Sequence, residues 1–188
     1  MKIHKTEFPG LLVIEPDVFN DQRGYFFESY NKQRFDSHNL HLNFVQDNIS
    51  KSIRGTIRGL HFQIEPFAQG KLCFVLKGEV LDVAVDLRKN SPTFGKHFSL
   101  ILSEENHLQL FIPIGFAHGF SVLSDEAIFQ YKCTNYYNKE SERILRYDDP
   151  SLAIDWKVRN PIVSDKDLNG QFFSELPTYF EYGVKNGL

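Results

Sequence analysis

The sequence predicts an all-β fold, a sandwich or barrel of short antiparallel strands. Three observations carry that expectation. Apolar and polar residues alternate with a period of two, turn residues interrupt the runs about every 8–12 positions, and helical periodicity is confined to brief stretches. The chain has 188 residues, 41% of them hydrophobic, enough for one well-buried core in one domain spanning 1–188. Phe 18 and Tyr 8 against Met 1 point to a core of rigid aromatic plates.

In chain order, LLVIEP (11–16) reads as a strand closed by Pro16, and GYFFESY (24–30) as the next. NKQRFDSHNL (31–40) reads as a short helix. FVQDNIS (44–50), TIRGLHFQ (56–63) and KLCFVLKG (71–78) are strands, the last ended by Gly78. VLDVAVDL (80–87) alternates cleanly, with Leu81, Val83, Val85 and Leu87 on one face and Asp82, Ala84 and Asp86 on the other. HFSLILS (97–103), HLQLFIP (107–113), GFSVLS (119–124) and AIFQYKCTNYY (127–137) complete the series. A second short helix is expected within 164–175. The final aromatics, Phe172, Phe173, Tyr179, Phe180 and Tyr182, are expected to pack as a flap on the exterior.

One strand is chemically odd. IRGLHFQ (57–63) threads Arg58, His61 and Gln63 through an apolar run, and buried polar groups without partners cost several kcal/mol each. They are therefore expected to line a cavity. Strict alternation puts Arg58 and His61 on opposite faces, so a shared cavity requires a bulge, for which Gly59 is the natural place.

The net charge of −3 shows no basic field, which argues against nucleic acid as a partner. Cys73 and Cys133 lie in apolar runs and suit buried, reduced thiols. The amino terminus, MKIHKTEFPGLLVIEPD, holds too short an apolar run for a signal peptide or membrane span, so a cytoplasmic protein without a membrane partner is expected. Repeats, low-complexity stretches and linkers are not seen.

Antiparallel strands with PIGFAH (113–118) resemble the cupin superfamily, which implies a jelly roll, the double-stranded β-helix barrel. Metal-binding cupins carry G-x5-H-x-H, a Glu separated by six residues from a Gly, and P-x-G-x2-H. Gly55, His61, Gly78, Pro113, Gly115 and His118 match, but Gln63 replaces the second His and Lys71 replaces the Glu. An ammonium where an anionic ligand belongs disfavours a divalent metal. What remains is two imidazoles and a cation, equipment for proton transfer beside a developing oxyanion.

The resemblance then narrows. FxDxRGxFxES (Phe19 to Ser29), FVQDN (44–48), RGLHFQ (58–63), QGKL (69–72), GEVxDVAVDLRxxSPTFG (78–95), PxGFAHGF (113–120), YKCTNYY (131–137) and DW…PxxSxKD (155–167) occur in order. The chain resembles the dTDP-4-dehydrorhamnose 3,5-epimerase family over about residues 8–167, with an aromatic tail at 168–188. That resemblance implies epimerisation at carbons 3 and 5 of dTDP-4-keto-6-deoxyglucose through an enolate, with no metal and no cofactor. It implies His61 as base, Asp167 as its hydrogen-bond partner, Tyr131 as acid on the opposite face and Lys71 as the enolate's cation. It assigns substrate contacts to Arg23, Phe26, Glu28, Gln46, Asp47, Asn48, Arg58, His118, Glu142 and Lys166, with Tyr137 stacking on thymine and Asp82 behind His118. It also implies a homodimer in which Arg23 or Glu28 is supplied in trans. The alternatives are a single-centre epimerase of a related sugar nucleotide, a non-catalytic cupin that binds a nucleotide sugar, and a metal-dependent cupin oxygenase.

Overall fold

A computed structural model describes residues 1–183. Its elements in order are β1 (Lys2–Lys5), β2 (Leu12–Glu15), β3 (Phe19–Asp21), β4 (Gly24–Phe26), α1 (Lys32–Ser37), β5 (Gln46–Ile53), β6 (Ile57–Gln63), β7 (Lys71–Lys77) and β8 (Glu79–Asp86). They continue with β9 (Arg88–Lys89), β10 (His97–Ser103), β11 (Gln109–Ile112), β12 (Phe116–Val122), β13 (Glu126–Cys133), β14 (Glu142–Ile144), α2 (Asp165–Leu168) and β15 (Phe180–Glu181). The all-β expectation holds, with two sheets face to face. One runs β1-β2-β11-β7-β13-β5 and the other β10-β8-β12-β6-β14.

The alternation read in VLDVAVDL sorts that strand between two cores. Val80 and Ala84 join Phe116, Phe120 and Phe129 between the sheets, whereas Leu81, Val83 and Val85 face outward. That outer face is covered by a second layer built from Leu145, Leu152, Trp156 and Phe180. The tail is thus more than a flap. Phe180 is 2% exposed and its strand pairs in parallel with β9, while Phe173 and Tyr179 pack against the same layer. Residues 184–188 of the aromatic tail segment lie outside the described residues.

Some expected boundaries change. The run 24–30 is a strand only over Gly24–Phe26, where it closes a separate hairpin with β3, and α2 is a single turn followed by a 3-10 turn at Phe173–Glu175. Tyr136 and Tyr137 leave β13 and enter a loop that crosses from one sheet to the other. β1, β3, β9, β14 and β15 are too short for alternation to register.

At the end of β8 the buried Asp86 carboxylate organises a corner. Arg88 grips it with Nε and Nη2 at 2.8 and 2.7 Å, and the Ser91 and Thr93 hydroxyls donate at 2.6 and 2.7 Å. Burial pushes this carboxyl up, but those hydrogen bonds outweigh it and hold it below its ordinary value. Cys73 and Cys133 are both buried and unbridged.

Candidate active site

Strand β6 carries an extra residue. Across from it on β12, His118 pairs with His61 and Phe120 with Arg58, so two steps on one strand oppose three on the other. The bulge falls at Gly59, as the sequence required. Gly59 has φ +115°, and a Cβ there would lie 2.5 Å from Gly119 Cα and 2.7 Å from the His118 carbonyl oxygen. Cross-strand partners share a face. Arg58 and His61 therefore turn toward the space between the sheets, while Ile57, Leu60 and Phe62 pack into the outer layer.

His61 opens onto a cavity of about 250 Å³ lined also by Lys71, Tyr131, Gln46, Asn48 and Glu142, with Gln63, Gln69 and Tyr137 at its rim. His61 comes from one sheet, and Lys71 and Tyr131 come from the other. The imidazole and the ammonium thus share one space, as the sequence reading demanded. Lys71 Nζ lies 5.6 Å from the Tyr131 ring centroid.

His61 Nε2 and Asp167 Oδ1 share a hydrogen bond of 2.5 Å. Asp167 is 3% exposed and is set by α2, whose N-cap Ser164 accepts from the Asp167 N–H. Its second oxygen accepts from the Gly59 N–H at 3.4 Å. Burial pushes the Asp167 carboxyl up, but the bonds and charge from His61, Gly59 and Ser164 prevail and keep it ionised. An ionised Asp167 accepts a proton at His61 Nε2, which in the neutral ring leaves Nδ1 unprotonated. Burial pushes the Tyr131 phenol up to about 12, so it stays protonated and able to donate.

The remaining site candidates divide. Glu142 accepts from Lys166 Nζ at 2.6 Å and from Tyr137 Oη at 3.0 Å, so these three form one edge of the mouth. Arg58 does not line the cavity as expected: it shares His61's face but is exposed, and its Nε donates to Ser52 Oγ at 2.9 Å. Asp47 lies outside this lining. Gln46 and Asn48 face the cavity, and strand alternation sends Asp47 to the other side, where Lys132 pairs with it at 2.7 Å. His118 also lies outside the lining, buried beside Tyr131. It shares a 2.6 Å hydrogen bond with Asp82, and burial keeps its imidazole neutral. Arg23, Phe26 and Glu28 are absent from this chain's own cavity because β3 and β4 form a separate sheet. Arg23 there is held by Asp21, with Nη2 at 2.5 Å.

Gln63 lines the cavity as the sequence predicted, but its hydrogen-bond partners could not be read there. Its amide is fully engaged, Nε2 donating to the Phe67 and Tyr136 carbonyls and Oε1 accepting from the Asn138 N–H. Cys73, Asp82 and His118 offer donor atoms within 4.8 Å of one another, but this group sits behind the cavity wall.

Comparison with known proteins gives the same direction. The family model for dTDP-4-dehydrorhamnose 3,5-epimerase matches residues 5–175. A Shigella flexneri dTDP-4-dehydrorhamnose 3,5-epimerase is 56% identical over 92% of this chain and 96% of its own. The Legionella pneumophila dTDP-6-deoxy-D-glucose-3,5-epimerase, solved in complex with dTDP-4-keto-L-rhamnose, superposes with TM-score 0.92 at 46% identity, covering 96% of this chain and 98% of that one. A 3'-monoepimerase from Streptomyces bikiniensis, in complex with dTDP-quinovose, superposes at 0.85 with 30% identity over 91% and 87% of the two chains.

Proposed function

The chain belongs to the dTDP-4-dehydrorhamnose 3,5-epimerase family, and from that premise we propose that it is an isomerase converting dTDP-4-keto-6-deoxy-D-glucose to dTDP-4-keto-L-rhamnose. The observation that carries this reading is the cavity with His61 on one wall and Lys71 and Tyr131 on the other. The ketone at carbon 4 acidifies the hydrogens on carbons 3 and 5. His61 Nδ1 takes one of them, the C–H pair moves onto the ketone oxygen, and Asp167 stabilises the imidazolium. Lys71 holds the enolate oxygen, worth ~2.7–4 kcal/mol for a donor of this kind. Tyr131 then protonates the carbon from the opposite face as the pair returns, and solvent resets both groups. The chemistry calls on no metal or cofactor.

Gln46, Asn48, Tyr137, Glu142 and Lys166 would receive the nucleotide, with the Tyr137 ring against the base. The cavity is smaller than the ~300–1,000 Å³ usual for drug-sized ligands, so much of the substrate must lie at its mouth. This supports a homodimer in which the partner's hairpin completes the site. Phe19 and Phe26 on that hairpin are 61% and 68% exposed, and Arg23 and Glu28 flank them. Mixing inactive Arg23→Ala and His61→Ala proteins should then restore activity. Among the described residues no helix is long and apolar enough to cross a membrane. We place this one-domain enzyme in the cytoplasm, where nucleotide sugars are made.

The deciding experiment is incubation with dTDP-4-keto-6-deoxyglucose in deuterium oxide, read by NMR. Deuterium at both carbons with inverted configuration is expected. The monoepimerase likeness favours a second reading, inversion at one carbon, which predicts label at one position only. Absence of label would leave a binding module.

A further inference from the structure

The loop that crosses from β13 to β14 spans the gap between the two sheets and carries Tyr137 over the cavity mouth. A loop in that position has no ladder to satisfy its backbone, and unpaired polar groups there are expensive. Three cavity-lining glutamines supply the partners. Gln69 Nε2 donates to the Asn135 carbonyl at 2.6 Å. Gln63 Nε2 donates to the Tyr136 carbonyl at 3.0 Å. The Tyr137 N–H donates to Gln46 Oε1 at 2.8 Å, and the Asn138 N–H donates to Gln63 Oε1 at 2.6 Å. For Gln63 and Gln46 these partners also fix which way the carboxamide points, since each nitrogen faces a carbonyl oxygen and each oxygen faces a backbone N–H.

The anchors come from different places. Gln63 is on β6, two residues after His61 and on the same face, while Gln46 is on β5 of the opposite sheet. Gln46 is itself braced, because its Nε2 donates to Asn48 Oδ1 at 3.0 Å and Asn48 Nδ2 donates to Cys133 Sγ at 3.6 Å. Gln63 also donates to the Phe67 carbonyl at 2.7 Å, tying in the other loop beside the cavity.

We propose that Gln63 and Gln46 are positioning residues that clamp successive backbone amides of the 134–138 loop, so that Tyr137 stands ready before substrate arrives. The clamp joins the strand bearing His61 to the part of the mouth that receives the nucleotide, and this second half rests on the function proposed above. Gln63 does not reach the reacting atoms, because every polar atom of its amide is engaged by backbone.

The test uses the full-length protein and two variants, Gln63→Met and Gln46→Met. The first readout is amide hydrogen exchange without ligand. Gln63→Met should speed exchange at Asn138 about tenfold or more, and Gln46→Met should do so at Tyr137 while Asn138 stays protected. The second readout is turnover of dTDP-4-keto-6-deoxyglucose, where Gln63→Met should raise KM about tenfold with little change in kcat. Unchanged exchange at both amides overturns the clamp. A lost kcat at unchanged KM overturns the positioning role and puts Gln63 in the chemistry. If the wild type turns over no sugar nucleotide while the exchange differences persist, the clamp stands and the proposed reaction falls. Should Gln63→Met fail to fold, Gln46→Met alone decides through the Tyr137 amide.

Discussion

Replacing Gly59 by Ala adds one methyl group at the point where β6 bulges. The new Cβ would sit 2.5 Å from Gly119 Cα and 2.7 Å from the His118 carbonyl oxygen, and both neighbours are backbone of a central strand. Neither can swing aside as a flexible side chain could. The residue would also be held at φ +115°, a conformation that alanine rarely adopts. Backbone strain of this kind costs of order 1–3 kcal/mol, and overpacking against a fixed neighbour about as much again. Together they give about 2–6 kcal/mol, and each kcal/mol lowers Tm by ~2–4 °C for a chain of this size. Relief of the strain would flatten the bulge and turn Arg58 and His61 onto opposite faces. Turnover should therefore fall by more than the folded fraction does. The assay pairs thermal unfolding with deuterium uptake measured well below the variant's Tm. A Gly59→Ala protein that melts within ~2 °C of wild type and takes up deuterium at the wild-type rate would show that the bulge does not set the His61 geometry.

Other perturbations follow from the same geometry. Asp167→Asn should lower kcat by ~10²–10⁴ with little change in KM, since Asp167 touches His61 and not the cavity; stopped-flow or NMR progress curves decide it. Tyr131→Phe should retain deuterium wash-in, with His61 returning the label to the same face, while net inversion falls by ~10²–10⁴. Near-ultraviolet titration should find one phenol ionising only near pH 12, and an alkaline loss of activity traced to Tyr131 well below that would contradict its burial. Asp86→Ala should destabilise the fold by ~3–5 kcal/mol by leaving Arg88 buried without its partner, read by denaturant unfolding. Because the folded pKa of Asp86 is depressed, its contribution is present above the unfolded carboxylate value near 4 and is lost as pH falls through the folded value. The gap between wild type and variant should close in acid.

Much of this was readable before any coordinates. Alternation in VLDVAVDL assigned Leu81 and Asp82 to opposite faces, because a strand's side chains have no other choice. The conflict between Arg58 and His61 located the bulge at Gly59, since one inserted residue was the only way to put both on one face, although only His61 reaches the cavity. Asp47 escaped because the resemblance marks a motif, FVQDN, whereas a strand sends neighbouring members to opposite sides. His118 escaped for a different reason. Facing inward does not say how deep, and Phe129 and Tyr131 fill the space in front of it. The outer layer of Leu145, Leu152, Trp156 and Phe180 was hidden because its residues are scattered through irregular chain with no period to detect. The glutamine contacts run from side chain to backbone across distant segments, and no spacing encodes such pairs.

His61 and Tyr131 ride on different sheets, so neither strand alone fixes the gap between them. Between the sheets Phe120 of β12 and Phe129 of β13 stack at 4.3 Å between ring centroids. The pair lies where a shim between the two sheets would lie. Thinning it by trimming either ring would bring the two walls together, and thickening it would part them, without touching any residue that meets the sugar. On the proposed mechanism the facing of the two walls would then depend on residues behind the site that otherwise read as ordinary packing.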